Sequence, residues 1–170
     1  VSGGGQEGKR RAGTENVPGI LTLGKSCEVA LQRLGRMQEV AAMRDRLQAG
    51  LTELFPGARV NGDTGHRLPN TLSIILPEVR GESLVLSLDK RGISLSSGSA
   101  CRSGSPEPSH VLMAVGCTEE EAHCSVRFSL GRGTTEDEID RTLKAMDSIH
   151  KEMKEKIRFV SCRGGGIPMN

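Results

Sequence analysis

Ser96-Ser97-Gly98-Ser99-Ala100-Cys101-Arg102-Ser103-Gly104-Ser105-Pro106-Glu107-Pro108 sets one cysteine in the middle of a serine- and glycine-rich loop. Side chains this small bury little apolar surface, so the loop is expected to be mobile and Cys101 reachable from solvent. Cysteine ordinarily packs as a small hydrophobe, so an exposed one needs a reason. The thiolate is its nucleophilic form, and the charge of the adjacent Arg102 favours it. From these residues alone two readings stand: a nucleophile, or a solvent-facing thiol with no task. The loop also divides the chain. A short apolar segment leads in and a helix start follows, so the elements on either side are read outward from it.

Upstream, Ile93-Ser94-Leu95 reads as a short strand delivering the chain to the loop. Residues 82–91 (ESLVLSLDKR) fit a helix with Leu84, Val85 and Leu88 inward and Gly92 as its stop. Residues 70–76 (NTLSIIL) are β-branched and apolar and end at Pro77, a strand pattern. Residues 59–65 (RVNGDTG) are polar, with an Asn61-Gly62 turn signal. Earlier still, Ile20, Leu23, Cys27, Ala30, Leu31, Leu34, Met37, Ala41, Leu47, Leu51 and Leu54 recur at helical steps. Pro18 suits the start of that helix, Gly24 and Gly35 mark bends, and Phe55-Pro56-Gly57 stops it. Cys27 falls on its apolar face and is expected in the core. The opening residues 3–16 (GGGQEGKRRAGTEN) combine turn-permitting glycines with Lys9, Arg10 and Arg11. They read either as a solvated terminus or as a phosphate-holding loop with Thr14 as a hydroxyl donor.

Downstream, Ser105 or Glu107 is expected to begin a helix with proline in its first turn, burying Val111, Leu112 and Val115 and ending at Gly116. Thr118-Glu119-Glu120-Glu121 and Thr135-Glu136-Asp137-Glu138 both match capping boxes. The second opens a helix with Ile139, Leu143, Met146, Ile149 and Met153 on its apolar side and charge on the other. Between them, residues 125–130 alternate, with Val126, Phe128 and Leu130 on one face and Ser125, Arg127 and Ser129 on the other. If the polar face lines a cleft, Arg127 is placed to hold a carboxylate bidentately. If it faces water, Arg127 is one more surface charge. The glycine-rich end from Cys162 onward is expected to be disordered. The order of helices and strands predicts an α/β layer with a few strands and helices packed on one face.

The 170 residues suffice for one domain with a core. Mean hydropathy is −0.33 and no apolar run approaches membrane-span length, so a soluble protein is expected. Net charge is +2 with both signs interspersed and aromatics are 2%, which argues against nucleic acid because base-stacking platforms are missing. Five cysteines at irregular spacing suggest a reducing compartment, the cytosol, without a disulfide framework. No signal peptide is recognisable, and an opening Val1 in place of methionine suggests a piece of something longer.

Gly98-Ser99-Ala100-Cys101 followed by Glu107-Pro108-Ser109-His110-Val111-Leu112 resembles the active-site segment of group I cysteine desulfurases, the NifS/IscS family. Residues 125–132 (SVRFSLGR) with Thr134-Thr135 and Glu138-Ile139-Asp140 resemble its next block. Leu68-Pro69-Asn70-Thr71 and the opening 3–16 are similar too, in the family's order and spacing up to about Met153. The resemblance implies the C-terminal part of a pyridoxal-phosphate enzyme of the aspartate aminotransferase fold. Its small domain would be an α/β unit with a few-stranded, mainly antiparallel sheet and helices on one face. Residues 1–16 would end the large domain, 17–157 would form the small domain with a long linking helix, and 158–170 a flexible tail.

It further implies that Cys101 attacks the sulfur of L-cysteine and carries it as a persulfide while alanine leaves. Arg127 would bind the substrate carboxylate, and Thr14 the cofactor phosphate of the neighbouring subunit in a homodimer. Iron–sulfur scaffold or tRNA-thiolation proteins would receive the sulfur, and the persulfide on Cys101 would transiently ligate a shared iron–sulfur cluster. No direct nucleic-acid or membrane partner is implied, and the compartment would be the cytosol, or the mitochondrion in a eukaryote. The family's cofactor lysine lies in a Ser-x-His-Lys context, which none of Lys9, Lys25, Lys90, Lys144, Lys151, Lys154 or Lys156 has. The chain alone is therefore expected to be inactive. Three rival readings are a metal module using Cys101, His110, Cys117, His123 and Cys124, a non-catalytic sulfur-acceptor docking or dimerisation domain, and a selenocysteine lyase. The first lacks any C-x-x-C pair.

Overall fold

A β-branched apolar segment and a strictly alternating one build the centre of the fold. In a computed structural model, which describes residues 2–98 and 107–163 and side chains up to residue 155, Thr71–Ile75 (β2) and Ser125–Ser129 (β4) pair antiparallel along their whole length. The register sets Leu72 opposite Phe128 and Ile74 opposite Val126, so the apolar residues of both strands share one face. Arg59–Val60 (β1) adds to the outer edge of β2, and Ser96–Ser97 (β3) to the outer edge of β4. The result is a four-stranded sheet of order β1-β2-β4-β3 in which every neighbouring pair is antiparallel.

Three helices cover the apolar face. Met37–Leu54 (α3), Gly81–Asp89 (α4) and Glu136–Arg163 (α7) contribute Val40, Leu47, Leu51, Leu84, Leu88, Ile139, Met146 and Ile149 to one core with Leu72, Ile74, Val126 and Phe128. Helix α3 lies close to α7: a Cβ added at Gly50 would fall 2.6 Å from Leu143 Cδ2, so glycine permits that approach. Both expected capping boxes form. The Thr135 hydroxyl accepts from the Glu138 N–H while the Glu138 carboxylate accepts from the Thr135 N–H, and Thr118 and Glu121 do the same for Glu119–His123 (α6). Leu72 is fully buried at the centre of the core. Leu72→Ala is expected to lower stability by about 2–5 kcal/mol in denaturant unfolding of this chain.

The chain forms two compact units, Val1–Arg36 and Met37–Asn170. In the first, Gln6–Lys9 (α1) is a single irregular turn in which Glu7 and Gly8 take positive φ, and Val17–Gln32 (α2) follows, capped by Asn16 accepting from the Gly19 N–H. The long helical pattern is thus two helices, separated by a 3-10 turn at Leu34–Arg36 around the expected Gly35 bend.

Several sequence expectations need correction. Cys27 is exposed, as are Ile20, Leu23, Leu31 and Leu34, because helical periodicity marks a face without saying what covers it. The strand expected at 93–95 forms at Ser96–Ser97, where the backbone pairs with β4. The helix expected from Ser105 or Glu107 begins at His110 instead (α5, His110–Ala114). At five residues it turns only Leu112 into the core and leaves Val111 and Val115 exposed. β1 arises within a segment read as a polar turn, since a two-residue edge strand leaves no alternation to detect. Helix α7 runs to Arg163, and residues 164–170 of the expected tail lie outside the described residues.

Candidate functional site

The face of the sheet away from the main core carries Thr71, Ser73 and Ile75 from β2, Ser125, Arg127 and Ser129 from β4, and Ser96 from β3. Its two ends differ. Around Ile75, a second apolar cluster forms with Leu112, Cys117, Ala122 and Cys124, so α5 and α6 cover that end. At the other end Arg127 and Ser129 are exposed. Ser73 and Ser96 lie opposite Arg127 on its two flanking strands, so the arginine stands between two small hydroxyl residues. Arg127 Nη2 donates to Ser96 Oγ at 3.2 Å, and no carboxylate among the described residues pairs with it. Exposed on this polar strip, the guanidinium presents a planar fork of N–H donors with the geometry of a carboxylate.

Between these ends, Asn61 forms a bridge. Its Nδ2 donates to Ser73 Oγ at 3.1 Å and Ser125 Oγ at 3.2 Å, and its Oδ1 accepts from the Cys117 thiol at 3.3 Å. Ser125 Oγ in turn donates to the Glu121 carbonyl at 2.8 Å. A buried thiol and a buried hydroxyl are thereby satisfied, and Ser73 is committed to Asn61. The sequence marked Asn61 only as a turn residue. Its partners lie 12, 56 and 64 positions away, so no local signal identified this role.

Charge at the covered end is internally matched. Arg59 pairs with Glu121 at 2.7 Å, which raises the arginine's pKa. The Glu121 carboxyl is held below its usual value, first by the Thr118 N–H and then by Arg59. Burial, then the nearby Glu120, pushes the Cys124 thiol up, which disfavours its thiolate. Among the described residues, no three or more His, Cys, Asp or Glu side chains gather as a metal site. Cys117 and Cys124 sit in the apolar cluster instead.

The strand beside Arg127 leads directly to the cysteine loop. After Ser97, the Gly98 N–H donates to the Ser125 carbonyl at 3.1 Å. A Cβ on Gly98 would lie 2.8 Å from the Ala122 carbonyl oxygen and 2.8 Å from Leu112 Cδ1, so only glycine fits where the chain leaves the sheet. Cys101, three residues on, lies outside the described residues.

Thr14 belongs to the first unit and is exposed, two residues before the cap of α2. Gly13 precedes it at φ +99, a conformation glycine adopts freely, and Arg11 Nη1 donates to the Gly13 carbonyl. The same guanidinium pairs with Glu7 at 3.4 Å and Glu15 at 3.7 Å, so what this stretch offers a phosphate is the exposed Thr14 hydroxyl ahead of a 16-residue helix. Of the three residues singled out in the sequence, Arg127 stands on the polar strip, Thr14 in the other unit, and Cys101 beyond the described positions. Ser96, which the sequence placed only in the loop's lead-in, is the addition.

The sequence is 50% identical over 159 residues to cysteine desulfurase 2 of Trichormus variabilis and 47% identical over 165 residues to the cysteine desulfurase NifS of Azotobacter vinelandii. These matches cover 94% and 96% of this chain but 39% and 41% of the relatives, so the chain spans about two fifths of their length. Among solved structures, a NifS-like protein from Rickettsia africae superposes with a TM-score of 0.76 at 30% identity, over 89% of this chain and 39% of that one. A second NifS-like protein gives 0.75 at 36% identity, over 88% and 38%. With residues 3–142 matching its sequence pattern, the chain belongs to the aminotransferase class-V family.

Proposed function

We propose that this chain is the C-terminal portion of a pyridoxal-phosphate-dependent cysteine desulfurase, which converts L-cysteine to L-alanine and carries the sulfur as a persulfide on Cys101. The observation that carries this reading is the exposed Arg127 on β4, hydrogen-bonded to the strand that runs into the Cys101 loop, in a chain about half identical to desulfurases. Arg127 accepts the substrate carboxylate in its guanidinium fork and so orients the amino acid. The Cys101 thiolate attacks the substrate sulfur. An S–S bond forms as the substrate C–S bond breaks, the electron pair of that bond stays with the three-carbon fragment, and protonation there yields alanine. Pyridoxal phosphate, when bound, supplies the electron sink that makes the fragment a competent leaving group. A serine- and glycine-rich loop lets one thiol visit both substrate and acceptor.

Thr14 serves the cofactor phosphate of the partner subunit in a homodimer, as its exposure allows. The cofactor lysine has no counterpart among the seven lysines here, so the segment works only with the rest of the polypeptide. The terminal sulfur passes to an iron–sulfur scaffold or tRNA-thiolation protein. A reactive free thiol suits the cytosol, or the mitochondrion in a eukaryote. Among the described residues no helix is long and apolar enough to cross a membrane.

Two measurements test the reading. The full-length polypeptide, given pyridoxal phosphate, L-cysteine and a thiol reductant, is expected to release alanine and sulfide one for one. A cofactor-loaded protein that releases neither overturns the proposal. The present chain, purified alone and mixed with pyridoxal phosphate, is expected to show no protein-bound cofactor absorbance; a stable band places a cofactor lysine within these residues.

A further inference from the structure

Arg127 extends from an exposed position, and an arginine side chain free to rotate loses rotamer entropy when a ligand fixes it. Something that holds the guanidinium beforehand makes carboxylate binding tighter. Two hydroxyls flank it in register, Ser73 and Ser96, and they are not equivalent. Ser73 Oγ accepts from Asn61, whereas Ser96 Oγ accepts from Arg127 Nη2 at 3.2 Å. Ser97, the neighbour in β3, is opposite Val126 and so lies on the other face of the sheet.

Ser96 is itself held in place. It lies on an edge strand of two residues, but the ladder to β4 fixes it, and the Gly98 N–H to Ser125 carbonyl bond closes the strand's far end. Gly98 is further clamped by close contact with α6 and α5, where no larger residue fits. One Nη2 proton on Ser96 leaves the remaining guanidinium donors for a bidentate partner.

We infer that Ser96 is a positioning residue for substrate: its hydroxyl pre-orients the Arg127 guanidinium for the L-cysteine carboxylate. The same two-residue strand thus sets the carboxylate grip and starts the loop that carries Cys101. The inference rests on the desulfurase reading of Arg127 given above.

The test uses the full-length, cofactor-loaded enzyme with Ser96→Ala, Ser96→Thr and Arg127→Ala. Steady-state kinetics on L-cysteine are combined with calorimetric binding of L-alanine, which keeps the carboxylate but has no sulfur to transfer. Ser96→Ala is expected to raise KM and the L-alanine Kd by roughly 5–10-fold, the size of one ordinary net hydrogen bond because the contact is solvent-exposed and acts through Arg127, with kcat changed less than twofold. Ser96→Thr restores both to within about twofold, because its hydroxyl occupies the same register position. Unchanged KM and Kd in Ser96→Ala, with Arg127→Ala weakened, overturn the role of Ser96 and leave Arg127 as the carboxylate site. A fall in kcat at constant KM, shared by Ser96→Ala and Ser96→Thr, overturns it in favour of a structural role in β3. L-alanine binding unaffected by Arg127→Ala removes the carboxylate reading itself.

Discussion

Full-length protein carrying Cys101→Ala is expected to lose alanine and sulfide formation by roughly a thousandfold or more, while still binding L-cysteine. Removing a nucleophile takes away the bond-forming partner, and the remaining groups can only bind and orient. The separation of binding from turnover distinguishes this from misfolding, since a misfolded protein would lose both. Wild-type protein incubated with L-cysteine without reductant is expected to gain the mass of one sulfur atom on the peptide containing Cys101. Alkylating the thiol beforehand prevents both the mass gain and turnover. The buried thiols compete poorly: Cys117 is hydrogen-bonded to Asn61, and burial disfavours the Cys124 thiolate. Activity equal to wild type in Cys101→Ala removes the persulfide route, and release of the chalcogen without a thiol carrier, as a selenocysteine lyase would perform it, becomes the account to pursue.

Arg127→Ala is expected to raise KM for L-cysteine by about 10–100-fold. Two charge-assisted hydrogen bonds to a carboxylate are lost, each exceeding a neutral one. Arg127→Lys recovers the charge but not the planar fork, so only part of the affinity returns. Cysteamine, which lacks the carboxylate, binds wild type and Arg127→Ala with similar weakness. The substitution leaves the fold intact: the side chain is exposed, its hydrogen bond is to Ser96, and the backbone pairs with Ser73 and Ser96 are kept. Unfolding free energies within about 0.5 kcal/mol of wild type check this. A KM that does not move in Arg127→Ala assigns the carboxylate to another group.

The two effects bear on adjacent parts of one surface. The inner face of the sheet is covered by α3, α4 and α7, and among the described residues of this unit α5 and α6 cover one end of the outer face. Arg127 and Ser129 are exposed at the other end, where the guanidinium carries its charge without a desolvation cost. Gly98 sets where the chain departs from that surface. Its contacts with the Ala122 carbonyl and Leu112 leave no room for a Cβ, so the loop begins at a defined point.

The sequence by itself determined the elements whose signals are local. Alternation at 125–129 needs only neighbouring residues, and the strand formed there with Val126 and Phe128 buried and Arg127 exposed. The capping boxes at Thr118 and Thr135 close within three residues, and both are present. Helix α7 buries Ile139, Met146 and Ile149, as its 3.6-residue period indicates. The blocks around Cys101 and Arg127 also made the family recognisable, since residue order and spacing are properties of the chain alone. What only the tertiary structure decided is what meets across distance. A two-residue strand has no periodicity, so β1 and β3 exist because β2 and β4 offer edges to pair with. The same pairing places Ser96 against Arg127, 31 positions away, and Asn61 against Ser73, Ser125 and Cys117. Exposure of Cys27, Val111 and Val115 was likewise beyond reach of pattern, because an apolar stripe shows which residues share a face, while burial depends on whether another element lies over it.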